Sequence, residues 1–276
     1  MIKFMGKELE KPLIASSCIA TENTKNVLRL VQNGIQGAIL KSCANYCRSS
    51  KVTGKRQFAV DSSGYTYASS PFEKEILTLE GCITMMKDLR PKTDILLIPS
   101  FTASGLSPSD WIPACEQLEN AGADAIQLDF FYMGCIIGSN NFPQRLVSLL
   151  EELRKAINIP IMPKLNINLP KDFIMPLIVK ADIEYVSLLD SVRSPYFEAV
   201  NNKYRLSDRL DAEMTSCFGH WQLPLTLSYT YTAAKYGLKV CAGGGITDND
   251  DIEKLLAAGA VTVQSATYLT KHYKHL

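Results

Sequence analysis

Lys41 and Lys164 are the residues of this chain whose setting most calls for chemistry. Each closes an apolar run, Ala38-Ile-Leu-Lys41 and Ile161-Met-Pro-Lys164. A lysine at the end of a buried strand costs free energy unless something anionic meets it. Such a lysine snorkels, or pairs internally, with Asp129 and Asp190 as the partners at hand, or meets a ligand. For two of them together ligand contact is the favoured reading. Other polar groups close similar runs: Ala15-Ser16-Ser17-Cys18, Ser42, Ser100, Asp129, Asn166 and Asp190-Ser191. Near the C-terminus, Lys239-Val-Cys-Ala-Gly-Gly-Gly-Ile reads as a strand running into a glycine turn, and Val263-Gln-Ser-Ala-Thr267 as the next strand running into a helix. Gly243, Gly244 and Gly245 lack a Cβ, so the backbone there can come close to a ligand. The two consecutive strand ends then offer backbone N–H groups and a hydroxyl to one point, which is the chemistry of a phosphate cradle. The plainer alternative is that the glycines only make a tight turn.

The elements that would carry these groups alternate along the chain. Strands are expected at Leu13–Ala15, Ala38–Leu40, Ile95–Ser100, Ala125–Leu128, Ile161–Lys164, Tyr185–Leu188, Val240–Ala242 and Thr262–Gln264. Helices are expected at Thr24–Asn33, Pro71–Leu89, Pro108–Ala121, Pro143–Ile157, Lys171–Lys180, Leu223–Tyr236 and Asp250–Ala258. Strand-helix alternation means parallel strands with crossover helices. Eight such units predict an α/β fold of the (β/α)8 TIM-barrel type, in which a phosphate site after the last two strands is common. An open doubly wound sheet is the rival, but no Gly-x-Gly-x-x-Gly follows the first strand. Two connections are long, Ser42 to Ser70 after strand two and Asp190 to Gln222 after strand six. Both leave from the strand ends where barrel active sites sit. They carry Arg56, Tyr65 and Tyr67, and Arg193, Tyr196, His220 and Trp221, and read as a lid over the barrel mouth or as solvated excursions packing on a neighbouring subunit.

The totals bound the rest. A chain of 276 residues with 46% hydrophobic and 21% charged residues suits one barrel domain over residues 1–276, without linker or repeat tract. A net charge of +1 gives no reason to expect nucleic acid or a charged membrane surface. No apolar run reaches the roughly 18 residues of a membrane span, and the first residues lack the apolar core of a signal peptide. The chain is therefore read as cytoplasmic. Its eight cysteines are scattered without a Cys-x-x-Cys pair, and with three histidines they give little support to a metal site.

Six stretches fall in the order of a known family: Lys11-Pro-Leu-Ile-Ala-Ser-Ser, Gly37-Ala-Ile-Leu-Lys-Ser, Gly122-Ala-Asp-Ala-Ile-Gln-Leu-Asp, Pro160-Ile-Met-Pro-Lys-Leu, Gly243-Gly-Gly-Ile and Val263-Gln-Ser-Ala-Thr. Over nearly its whole length the chain resembles the class 1 dihydroorotate dehydrogenases and the related FMN domain of dihydropyrimidine dehydrogenase. The resemblance implies a (β/α)8 barrel with FMN at its mouth. Ala15 and Ser16 would line the flavin and Lys41 and Ser42 would contact it. Lys164 would face the N1/O2 side of its ring, Asp129 and Ser191 would complete the shell, and Gly244, Gly245, Ala266 and Thr267 would hold the phosphate. A fixed cation near N1 stabilises the charge of reduced flavin and raises its potential. The resemblance also implies a homodimer and, in some members, an electron-transfer partner.

The substrate side departs from the family. After strand four the family has an asparagine and then a Ser-Cys-Pro-Asn run, whose cysteine or serine is the catalytic base. Here the run is Leu128-Asp-Phe-Phe-Tyr-Met-Gly-Cys135. Asp129 stands at the asparagine, Tyr132 takes the cysteine's place and Cys135 follows three residues on. The asparagine of the strand-two loop is replaced near Tyr67, and that after strand six by Asp190. Carboxylates in place of neutral amides repel an anionic substrate such as dihydroorotate. The expected activity is hydride transfer between FMN and a CH–CH bond of a small or medium substrate, neutral or cationic, with Tyr67, Asp129 and Asp190 at the substrate and Cys135 or Tyr132 handling the proton. Two other readings stay open. One is a flavin-free barrel lyase or aldolase using Lys164 as a Schiff base on a phosphorylated substrate. The other is a non-catalytic flavin-binding partner protein.

Overall fold

The computed structural model describes residues 1–46, 55–70, 75–130, 141–210 and 215–272. Parallel strands form its centre: β1 (Leu13–Ala15), β2 (Gly37–Ile39, resumed at Cys43–Ala44), β3 (Leu96–Ile98 and Ser100–Thr102), β4 (Ile126–Asp129), β5 (Ile161–Lys164), β6 (Tyr185–Leu188), β7 (Lys239–Ala242) and β8 (Ala260–Ser265). Pairing passes from β8 to β1 through Gln264 and Ile14, from β1 to β2 through Ala15 and Ala38, and on through every neighbour to β7 and β8. Pro99 interrupts β3 because it has no N–H to give. The half before it pairs with β2 (Ala38 with Leu97) and the half after it with β4 (Phe101 with Leu128), so the ring closes across the break. This is the expected (β/α)8 barrel.

The outer layer is α1 (Thr24–Gln32), α2 (Leu79–Leu89), α3 (Pro108–Asn120), α4 (Phe142–Ala156), α5 (Lys171–Lys180), α6 (Leu223–Lys235), α7 (Asn249–Ala257) and α8 (Thr267–His272). Local chemistry sets their starts. Asn23, Thr78 and Asp248 accept hydrogen bonds from the N–H groups of Asn26, Gly81 and Asp251, and α3, α4 and α6 carry proline in the first turn, where its missing N–H is harmless. The helix expected over Pro71–Leu89 is shorter than the sequence suggests. Residues 71–74 lie outside those described, and Leu77–Thr78 form a short strand in which Leu77 N–H donates to Ser42 O at 2.7 Å. The helix then starts at Leu79, where Thr78 caps it.

An N-terminal hairpin, Ile2–Phe4 against Lys7–Leu9, plugs the bottom of the barrel. Its turn uses positive φ at Met5 (48°) and Gly6 (78°). Phe4, Met5 and Leu9 pack with Ile14, Ile39, Ile98 and Met162 as an apolar floor. Above that floor the barrel interior turns polar. Ser100 Oγ donates to Gln127 Oε1 at 2.9 Å. Gln127 Nε2 and Gln264 Nε2 both donate to Ser187 Oγ, at 2.8 and 2.6 Å. These four side chains are buried and satisfied, so they tie β3, β4, β6 and β8 together at one level.

The two long connections are not structureless. They meet in a four-stranded antiparallel sheet, in the order Val192–Arg193, Ser216–Phe218, Thr66–Ser69, Gln57–Val60. The turn between its last two strands is closed by Asp61, whose Oδ1 accepts from the N–H of Ser63 (2.8 Å) and Tyr65 (3.0 Å). A separate hairpin, Phe197–Val200 with Lys203–Leu206, turns on Asn201 and Asn202, both at positive φ. Among the described residues no helix is long and apolar enough to cross a membrane.

Candidate active site

The antiparallel sheet roofs a cavity of about 540 Å³ at the C-terminal ends of the barrel strands. Ser16, Lys41, Ser42, Lys164, Asp190 and Ser191 line its base, Gly243, Gly244, Gly245, Ala266 and Thr267 one wall, and Phe58, Thr66, Ala68, Ser216 and Phe218 its roof. The size suits a cofactor or a drug-sized ligand. The lid expected from the two long connections is thus present over the mouth.

Most of the residues singled out from the sequence converge here. Ala15 is fully buried and its neighbour Ser16 lines the cavity. Asp129 is buried behind Lys164, with 1% of its side chain exposed. Tyr67 is not brought to the cavity. It sits on a roof strand whose neighbours Thr66 and Ala68 face the cavity, and by strand alternation its own ring turns the other way, against Tyr196 with centroids 4.8 Å apart. Phe130 packs in the core against Trp111 rather than towards the cavity. Tyr132 and Cys135 lie outside the described residues.

The two lysines have opposite surroundings. Asp129 pairs with Lys164 in register across β4 and β5, which brings their side chains to one place. Lys164 Nζ lies 2.6 Å from Asp190 Oδ2 and 3.6 Å from Asp129 Oδ2. Ser42 Oγ donates to Asp129 Oδ2 at 2.7 Å, and Ser191 N–H donates to Asp190 Oδ1 at 2.7 Å. Burial by itself would push the Lys164 ammonium down, but Asp129 and Asp190 outweigh it and hold the group well above the ordinary lysine value. The internal ion pair considered from the sequence is therefore what Lys164 makes, and it makes it twice. Among the described residues no carboxylate lies within ion-pair distance of Lys41. Burial lowers its pKa, with partial compensation from Cys18 and Glu75. Lys41 is thus the cavity cation open to an anionic group.

The glycine wall is built for close approach. Gly244 and Gly245 have φ of 105° and 86°, a region that disfavours side chains. A Cβ on Gly243 would meet Gln264 O at 2.5 Å, and one on Gly245 would overlap Leu223. The tight-turn reading therefore holds. The cradle chemistry is present with it: Gly244, Gly245 and Ala266 line the cavity, and among the described residues their backbone N–H groups donate to no protein acceptor. Thr226 Oγ1 donates to Gly244 O at 2.9 Å, which fixes the turn from α6. A phosphate is the complement of this donor set, with Lys41 and the buried serines for the remainder of a phosphorylated cofactor. The residues present fit FMN.

Several supporting residues carried little signal in the sequence. Gln222, after the roof, donates to Asp190 O at 2.5 Å and so fixes the Asp190 backbone. Gln264 secures the carbonyl of Leu188 at 3.1 Å. Gln127, Ser187 and Gln264 are polar residues inside runs otherwise fit for burial, and that mismatch is the signal that could have found them. Arg56 forks onto Glu22, and Arg193 reaches Glu75 at 3.5 Å, so the outer charges of the mouth are paired.

These features define a (β/α)8 barrel with a roofed cavity and a glycine turn with open N–H groups at its mouth. No family model matches the chain. The chain is similar to the catalytic subunit of dihydroorotate dehydrogenase B (NAD(+)) of Thermoplasma acidophilum, with 24% identity over 283 residues, covering 96% of this chain and 85% of that protein.

Proposed function

We propose that the chain is an FMN-dependent oxidoreductase acting on CH–CH groups, moving a hydride between flavin and a carbon of a small or medium unsaturated ring or enone-like substrate. The observation that carries this reading is the cavity that sets the open N–H groups of Gly244, Gly245 and Ala266 on the same wall system as Lys41 and Lys164. The similarity to a dihydroorotate dehydrogenase catalytic subunit supports it. When bound, FMN supplies two-electron hydride chemistry at N5. The chain supplies the rest. Gly244, Gly245, Ala266 and Thr267 hold the phosphate, and Ser16, Lys41, Ser42, Ser191 and Lys164 border the ring, with Ala15 and Asp129 behind them. Cys135 or Tyr132, after β4, handles the substrate proton in this reading.

Dihydroorotate itself is not the proposed substrate. Asp129 and Asp190 place carboxylates beside Lys164, and an anionic substrate meets these less favourably than it would neutral amides. A neutral or cationic substrate fits better. A homodimer and an electron-transfer partner belong to the same proposal, the second supported by the relative's being a catalytic subunit. The lyase alternative is not favoured by the geometry. A Schiff base needs a neutral amine, whereas two carboxylates keep Lys164 charged.

The deciding experiment is the visible absorption spectrum of the purified protein, followed by heat release and chromatography of any chromophore. Flavin bands with FMN released are the expected result. A colourless protein that also fails to take up added FMN would end the proposal. Bound flavin that stays oxidised with every donor offered would favour the non-catalytic partner instead.

A further inference from the structure

We propose that the roof of the cavity selects the substrate: Phe58 and Phe218 are specificity-determining residues that stack on a flat, uncharged, conjugated ring held over the polar base. The inference rests on the flavin reading above and names the substrate class for it.

Sheet register puts the two rings on one face. Phe58 stands opposite Ala68, and Ala68 opposite Ser216. In the next row Thr66 stands opposite Phe218. Thr66 and Ala68, like Ser216 and Phe218, are two residues apart on one strand and so share a face. All of these side chains line the cavity. The other face of the same strands is closed: Ala59 and Cys217 are buried, and Tyr67 packs on Tyr196. Phe58 and Phe218 lie on the strands that flank Thr66–Ser69, so the small Thr66 and Ala68 fall between them. That leaves room for a planar group against the sheet.

The cavity is thus different above and below. Lys41, Lys164 and Asp190 belong to its base, whereas the roof-strand residues that line it are uncharged. Arg56, just before the first roof strand, also borders the cavity but forks onto Glu22. Phe58 is 55% exposed, and Ile19, another lining residue, is 41% exposed. Open apolar surface inside a cavity is what the apolar face of a ligand covers, and that burial is favourable. A charged ring would lose hydration against the roof without gaining a partner there. A puckered aliphatic ring would forgo the aromatic stacking. A flat conjugated ring turns its polar atoms to the base and its face to the phenylalanines.

The test uses the full chain loaded with FMN, with loading checked by absorbance, and reads binding by calorimetry. The probes are two neutral ketones, the flat aromatic 2-acetylnaphthalene and the puckered aliphatic cyclohexanone. Wild type is expected to bind 2-acetylnaphthalene roughly tenfold more tightly or better. F58A and F218A are each expected to weaken it roughly fivefold or more, and to weaken cyclohexanone by less than about twofold. F58Y, which keeps the ring, is expected to bind both probes like wild type. A disturbed roof would weaken both probes alike, so that pattern would overturn the inference. So would 2-acetylnaphthalene binding that neither variant changes, or its failure to bind wild type. A protein that takes up no FMN is seen in the absorbance step, and that outcome removes the flavin reading and this substrate assignment with it.

Discussion

Lys41 and Lys164 project from neighbouring regions of one barrel mouth, and only their surroundings separate them. Lys164 has two carboxylates within 4 Å, and Lys41 has none among the described residues. Whether a strand-end lysine would pair or stay open was not legible in the sequence, because the pairing depends on Asp129 standing beside Lys164 in strand register and on Asp190 arriving after β6. The open lysine has a measurable consequence. Burial depresses the Lys41 pKa in the folded chain below its unfolded value of about 10.4. Below the folded value both states carry the ammonium, but only the native state holds it buried, at a cost in stability. As pH rises through the folded value the native state gives up the proton first, so the unfolded chain binds more protons and stability increases. In the ligand-free protein K41M is therefore expected to be more stable than wild type at neutral pH. Its advantage should shrink as pH rises towards about 10.4. Denaturant titrations at pH 7 and pH 10 check this. An advantage that is absent at pH 7, or that grows with pH, would contradict it.

At the scale of elements, the barrel strands and most helices follow from local signals, and the roof does not. Val240, Ile126 and Ile161 begin apolar runs bounded by glycines, prolines and caps, so period and punctuation place them. The roof strands are two to four residues long, half exposed, and gain their partners from the other long connection. The turn Asp61-Ser-Ser-Gly64 and the pair Asn201-Asn202 were the available signals, since both mark hairpins. D61A tests the first of these turns. It removes an acceptor for two backbone N–H groups, at a cost of about 1 kcal/mol to the local hairpin, which corresponds to roughly fivefold more of its open form. Limited proteolysis within residues 57–69 should speed up by about that factor, while the melting of the barrel stays close to wild type. A variant cut no faster than wild type would mean that the Asp61 turn does not hold the roof.

For the molecule as a whole, the closed barrel was legible because strand and helix alternate from Leu13 to Thr267, and the closure itself needs only neighbours in sequence, apart from the seam between β8 and β1. The roof obeys a different rule. Tyr67 pairs with Cys217, a separation of more than half the chain, and the connections that bear them are anchored at β2 and β6. Such a contact pays its loop-closure entropy only once the barrel has brought its two sides together. The molecule therefore acquires its enclosed cavity last. In a refolding experiment, far-ultraviolet circular dichroism should recover before the protein can quench added FMN, with an interval between the two signals. Coincident recovery would mean that the roof is already paired in the first compact state. An interval of this kind would also give a newly made chain a period in which the barrel stands finished and uncovered, and in which the cofactor can enter without any later opening of the roof.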